Sequence, residues 1–322
     1  MLEAFLRSID CVLILIMLAG AGYATAARGW YDGPQASALI AKLVTFLSLP
    51  AYLFSSVLER LDHDELLSLA GSMIAPFASI WLCFLLSRLV VRAFKVEAQH
   101  QGVFSSAFTA TNNMFIGVPV SLALFGEEAL VPTLLYFFAN TTFFWTMGNF
   151  LEAMDGIAAE HRKPPKVLSI ETVRRVFSPP LCGFLAAIAF ILVDVRPPEP
   201  ILTAAAYMGG ITSPLALIFI GLMIHRIGIR NIRITKDILL VVFGRFVLCP
   251  AVCLAFTALL PLPPLFAKVY VIQASLPCIT QIAVLARFHH ADVRFATTAV
   301  ALTTLLCVAA LPAWMLILTA IE

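Results

Sequence analysis

Nearly every window of about 20 residues along this chain is apolar, and charged, Gly- or Pro-rich positions mark the joins; a helix of that length crosses a ~30 Å hydrocarbon core. Inside hydrocarbon the backbone must satisfy its own hydrogen bonds, which a helix does within one segment. The alternation of period two that a membrane barrel requires is absent. Composition agrees: 61% of residues are hydrophobic and 12% are charged, with a mean hydropathy of +0.96. A soluble domain carries roughly twice that share of charge. The chain therefore reads as an all-α membrane protein.

The joins define ten spans, at 8–26, 36–57, 67–87, 102–124, 130–151, 174–193, 201–224, 236–260, 266–286 and 295–319. Residues Cys11 to Ala27 are similar to a secretory core with a small-residue cleavage site. The preceding Glu3, Arg7 and Asp10 do not form a positive leader, so this segment reads as the first span. Pro179-Pro180 fall early in span 6, where a first helical turn accepts them. The odd-numbered loops hold 15 of the 21 Lys and Arg residues, whereas the even loops carry acids such as Glu59, Glu127-Glu128 and Glu199. The positive-inside rule then places both termini outside and the odd loops in the cytoplasm, in a plasma membrane or, for a bacterium, its inner membrane.

The same features exclude several classes. A net charge of +2 offers no field for nucleic acid. All seven cysteines lie in apolar segments without a C-x-x-C pair, so they read as small packing residues. His289-His290 and Asp292 share a short loop without further ligands, short of the set a metal needs. No H-E-x-x-H, G-x-S-x-G or paired Asp occurs within a span, so an intramembrane enzyme is not expected, and no cofactor is implied. Neither a ring of charge nor a carbonyl filter motif marks a channel.

Five spans on either side of the long fifth loop suggest a duplication, with residues 1–153 as a first repeat, 154–173 as a cytoplasmic linker and 174–322 as a second. An odd number of spans per half makes the second repeat inverted. The Ser48-Leu49-Pro50 step of span 2 has a counterpart in Ser213-Pro214 of span 7. Spans 4 and 9 give a stronger signal. Pro119 lies roughly 12 Å along the helix before Glu127 and Pro277 about 15 Å before Arg287, both near mid-membrane. A central Pro removes an amide donor and displaces a carbonyl, so both helices are expected to open there. Open backbone at that depth lines a cavity or is buried by protein, and paired breaks in equivalent spans point to a transporter's site.

Residues flanking the two breaks are the candidate ligands: Asn112, Asn113, Gly117 and Pro119 in span 4, and Ser275, Pro277, Thr280 and Gln281 in span 9. Opened half-helices add backbone N–H groups and a positive dipole end, which suit an anion. Arg245, about 13 Å into span 8, either grips a carboxylate with two parallel bonds, or snorkels towards the cytoplasmic face or ties its helix to a carbonyl. Lys42 is close enough to the end of span 2 to snorkel. Asn140 and Trp145 of span 5 either face the site or serve helix packing. No acid lies securely at mid-depth, with Asp155 assigned to the fifth loop, so the coupling ion stays open between Na⁺ and H⁺.

The run Asn113-Met114-Phe115-Ile116-Gly117-Val118-Pro119, followed by Leu124-Phe125-Gly126-Glu127-Glu128, resembles the span-4 signature of the auxin efflux carrier family. Phe138 to Gly148 is similar to its span 5, and Ser275-Leu276-Pro277 and Thr303-Thr304 to Leu311-Pro312 to its last two spans. The resemblance covers essentially the whole chain. It implies ten helices as two inverted five-helix repeats, related in fold to bile acid–sodium symporters. Helices 1, 2, 6 and 7 would form a scaffold, and helices 3–5 and 8–10 a moving transport unit with broken crossover helices 4 and 9. It further implies secondary transport of a small organic anion, a dicarboxylate such as malonate or malate, by an elevator-type movement, and a homodimer through the scaffold. Plant members carry Asn after each crossover proline; Val120 and Cys278 stand there in this chain, so auxin is not the expected substrate. An anion channel, or a carrier for an amphipathic or monocarboxylic anion, is the alternative.

Overall fold

A computed structural model describes residues 16–30, 33–60, 69–160, 179–227 and 234–321. Most of the expected linker, the starts of spans 1, 3 and 6, and the basic residues Arg162 to Arg175, Arg230 and Arg233 lie outside the described residues. The described residues are helical, in the order α1 (Ile16–Ala27), α2 (33–60), α3 (Ile74–Ala93), α4a (Gln101–Thr109), α4b (Asn113–Phe125), α5 (130–160) and α6 (Pro179–Leu192). They continue with α7a (Glu199–Gly210), α7b (Thr212–Ile227), α8 (Lys236–Leu259), α9a (Pro264–Ala274), α9b (Gln281–Phe288) and α10 (Val293–Ile321). Among the described residues, five stretches are long and apolar enough to cross a membrane: Ala38–Glu59, Gly71–Ala93, Glu199–Met223, Lys236–Leu259 and Val293–Ile321. The fourth and ninth helices fall short because each is interrupted.

Proline leaves a consistent local signature. In α2, α4b and α8 a five-residue π-turn (Val44–Ser48, Asn113–Gly117, Gly244–Leu248) ends two residues before Pro50, Pro119 and Pro250 respectively. The amide just before each proline reaches back five residues, to the carbonyls of Val44, Asn113 and Gly244. Pro has no amide for the carbonyl four residues back, and its ring crowds that carbonyl; widening the preceding turn relieves both effects. In α8 the carbonyl concerned, that of Phe246, accepts a bond from Trp314 Nε1 at 2.7 Å. A π-turn also occupies Phe144–Gly148 of α5, without a proline.

This signature corrects one expectation. Span 4 does not open at Pro119, which lies inside α4b; the helix is interrupted at Ala110–Asn112, seven residues before the proline. The π-turn accommodates the missing amide. Span 9 opens where expected, with Pro277 between α9a and α9b.

The described residues divide into two compact units, one within 13–72 and 174–226 and the other within 73–173 and 227–322. The first unit contains α1, α2, α6 and α7. Its helices approach closely at glycines: a Cβ on Gly22 would stand 2.2 Å from the carbonyl oxygen of Ile218, and one on Gly221 1.9 Å from that of Ala19. Such contacts let membrane helices pack backbone to backbone. Its two helix distortions touch, because Ser48 at the π-turn of α2 and Thr212 at the start of α7b share a buried hydroxyl bond of 2.8 Å. The second unit contains α3–α5 and α8–α10, packed around the buried rings of Phe104, Phe108, Phe143, Phe144 and Tyr270.

Candidate functional site

Within the second unit the two interruptions meet. After α4a the backbone turns extended at Ala110. Asn112 N donates to Pro277 O (2.9 Å) and Ile279 N donates to Ala110 O (3.1 Å), so Thr111 and Cys278 pair as a single antiparallel bridge. Each break thereby satisfies backbone groups that the other has left open. Neighbouring helices finish the work. Asn140 of α5 binds Thr111 at both ends: Thr111 N donates to Oδ1, and Nδ2 donates to Thr111 O, each at 2.9 Å. From α10, Thr303 Oγ1 accepts from Cys278 N at 3.3 Å.

Arg245 explains why the two helices can stop in a buried place. It is 0% exposed, and its guanidinium donates to Leu276 O (3.2 Å), Phe108 O (2.9 Å), Thr109 O (2.6 Å) and Ala274 O (2.5 Å). These carbonyls belong to the C-terminal ends of α4a and α9a, where the helix dipole is negative and carbonyls lack helical partners. The preceding residue makes room, since a Cβ on Gly244 would lie 2.1 Å from the Phe108 ring. Of the two roles open to Arg245, the structure gives the tie to carbonyls.

The polar residues around the break form one network. Asn113, 1% exposed, accepts from Thr111 Oγ1 at 2.7 Å through Oδ1 and donates through Nδ2 to Gln273 Oε1. Gln273 Nε2 donates to Gly117 O (3.0 Å), Ser121 Oγ (2.8 Å) and Thr133 Oγ1 (3.5 Å), pinning α9a to α4b and α5. Gly117 is required for this approach: a Cβ there would meet Gln273 Oε1 at 2.4 Å and Leu276 Cδ1 at 2.8 Å.

The candidate residues thus separate into groups. Asn112, Asn113, Gly117, Pro277 and Arg245 are brought together at the crossing, and the carbonyl of Pro277 is itself part of the bridge. Ser275 is buried and turns its hydroxyl to Ile272 O (2.8 Å). Pro119 is buried within α4b. Thr280 and Gln281 are half-buried at the start of α9b, with Thr280 Oγ1 donating to Gln281 Oε1 at 3.4 Å. Asn112 Oδ1 caps α4b by accepting from Phe115 N, whereas its Nδ2 is buried without a partner. Sequence reasoning passed over Gln273, although it lies four residues before Pro277, where a helix loses its regular partner.

At the other end of α4a, a second polar cluster joins the starts of α4a, α8 and α10. His100, 4% exposed, contacts Asp237 Oδ2 through Nε2 (2.9 Å) and Asp292 Oδ2 through Nδ1 (3.2 Å), and its ring stacks on Phe295. Asp292 is therefore engaged here and in capping α10, where Oδ1 accepts from Phe295 N. Nearby, Asp155 of α5 accepts from Gly102 N and Val103 N, both at 2.8 Å, which caps α4a with a carboxylate. Burial pushes the Asp155 carboxyl up to about 6, against the opposing pull of those two bonds, His100 and Arg88.

Comparison with known proteins follows the same lines. A family profile described as "membrane transport protein" matches residues 8–315. A transporter of Methanothermobacter thermautotrophicus, itself uncharacterised, is 27% identical over 98% of this chain and 99% of its own length. A protein of Rhizobium meliloti, provisionally named a malonate transporter, is 28% identical over 89% of this chain and 88% of its own. An uncharacterised transporter of Methanocaldococcus jannaschii is 23% identical over 96% and 98%.

Proposed function

The chain belongs to this membrane transport protein family, the auxin efflux carrier family, and from that premise we propose that it is a secondary carrier of a small dicarboxylate such as malonate or malate. Arg245 is the observation that carries the anion reading. It neutralises the negative ends of α4a and α9a, whereas the positive ends of α4b and α9b begin beside Asn112 and Thr280. A carboxylate is favoured at such ends, where N–H groups and dipole act together. Asn112 Nδ2, buried and unpartnered, is the side-chain donor best placed to complete its coordination. Gln273 and Asn113 hold the crossing in shape.

The pairing of distortions supports two inverted repeats of five helices, 1–153 and 174–322, joined by 154–173. Ser48 meets Thr212 within one unit, and Thr111 meets Cys278 within the other. The division into a unit of α1, α2, α6 and α7 and a unit of α3–α5 and α8–α10 supports an elevator-type movement in which the latter carries the anion. In this reading the protein sits in the plasma membrane, or a bacterial inner membrane, with both termini outside, and dimerises through α1, α2, α6 and α7. The test is uptake of labelled malonate and malate into proteoliposomes, with pH and sodium gradients imposed separately. Saturable uptake that Asn112→Ala weakens supports the reading. Failure to move either acid under any gradient removes the dicarboxylate assignment, and uptake linear in concentration removes the carrier.

A further inference from the structure

Among the described residues, the buried side-chain atoms without a hydrogen-bond partner are Thr109 Oγ1, Asn112 Nδ2 and both carboxyl oxygens of Glu152. They are not scattered. Thr109 ends α4a, and Asn112 lies three residues further on in the break. Glu152 lies on the helix portion Asn149–Glu160, which packs along α4a. Ser106, one turn before Thr109, stands beside the Glu152 carboxyl and donates weakly to Gly148 O at 3.4 Å. Glu152 is also within electrostatic reach of Cys278 in the other break. A line of polar groups therefore runs from Asp155, one turn beyond Glu152, through Glu152, Ser106 and Thr109 to the crossing.

Glu152 is 0% exposed. A carboxylate in such a place, with no cation against it and only the Ser106 hydroxyl beside it, is far less stable than the neutral acid. Asp155 adds a like charge one turn away. The other titratable and charged groups on the elements packed against this part of α5 are His100, Arg88, His289 and Arg287. His100 lies between Asp237 and Asp292, Arg88 acts on Asp155, and His289 bonds Asn149 Oδ1 at 2.9 Å. Arg287 stands in the last turn of α9b. A titrating role accounts for an acid at a buried site without a cation.

We propose that Glu152 is the proton-binding group of the transport unit, taking up one proton as the neutral acid and releasing it as the carboxylate, with the proton moving together with the anion. The proton is the sole co-reactant, and no other group changes its bonding. Protonation removes a negative charge close to the crossing and so favours an anion at Asn112. This assignment rests on the carrier reading for its coupling role, but the protonation site stands separately from the substrate's identity.

The experiment compares wild type with Glu152→Gln and Glu152→Asp in two measurements. The first is pH-difference infrared spectroscopy of the purified protein in detergent, reading the C=O band of a buried carboxylic acid. The second is malonate movement in proteoliposomes with the membrane potential clamped at zero. One coupled proton sustains roughly tenfold accumulation for each unit of pH gradient. The expected result is an acid band that Glu152→Gln lacks and Glu152→Asp restores. Accumulation driven by the gradient should likewise be lost in Glu152→Gln, although malonate–malonate exchange continues. An unchanged band in Glu152→Gln, or undiminished gradient-driven accumulation by it, overturns the proposal. A band lost in Glu152→Gln while wild type moves no malonate upholds the proton site and refutes the substrate instead.

Discussion

Replacing Arg245 with Met separates its structural role from a substrate-binding one. Met approximates the length of the Arg stem but has no donors. The substitution leaves the carbonyls of Leu276, Phe108, Thr109 and Ala274 without the guanidinium, in a place 0% exposed. Hydrogen bonds from a charged donor contribute about 1.5–3 kcal/mol each, so four amount to roughly 6–12 kcal/mol before opposing effects. Desolvating the guanidinium takes back several kcal/mol. The net loss is then on the order of 3–5 kcal/mol, the range seen when one partner of a buried charged set is removed. For a chain of this size the melting temperature should fall by roughly 10 °C. Thermal unfolding in detergent, followed by tryptophan fluorescence and monodispersity, reads this directly. Arg245→Lys should recover only part of the loss, because one ammonium cannot span carbonyls from two helix ends. A melting temperature unchanged in Arg245→Met, accompanied by lost malonate binding, would return Arg245 to the role of carboxylate clamp.

Further outcomes follow from the same contacts. Asn140→Leu removes both bonds to Thr111 and strands a buried amide and carbonyl, which should lower stability by about 2–4 kcal/mol in chemical denaturation. Gly117→Ala drives a methyl against Gln273 and Leu276, so it should abolish uptake, and combining it with Gln273→Ala should be less than additive in a double-mutant cycle. Gly221→Leu should disrupt the packing of α1 against α7b and lower the melting temperature of the whole protein. Asp155 titrates higher when folded, at about 6, than in an unfolded chain, at about 3.9. The folded state therefore holds more protons between those values, and stability falls as pH rises through that window and then levels. Asp155→Asn should flatten this part of the profile in melting curves taken across pH, while losing part of the cap on α4a.

Much of this was legible because membrane helices announce themselves. Apolar length pointed to an all-helical membrane chain, and Pro277 marked the ninth helix's break directly. Pro119 misled by seven residues for a local reason: one missing amide is absorbed by a π-turn, whereas the true interruption at Ala110–Asn112 exists through bonds to Pro277 and Asn140, which are distant in sequence. Arg245 was visible as a buried charge, but its two roles differ only in what the guanidinium touches. Gln273 looked like one of several polar neighbours of Pro277, and only packing shows that it joins three helices. Glu152 escaped notice because it follows the fifth apolar span, where an acid normally meets water; its burial arises from α4a lying alongside.

Access to the crossing from both sides of the membrane tests the account most directly. Thr280→Cys, in a chain with Cys11 and Cys182 changed to Ser, places a reporter at the half-buried start of α9b. Impermeant thiol reagents would be applied to oriented vesicles from each face, with and without malonate. Labelling is expected from both faces, slowed by malonate. Labelling from one face alone, at a rate indifferent to malonate in vesicles that do transport it, would contradict a carrier that binds its anion at the crossing.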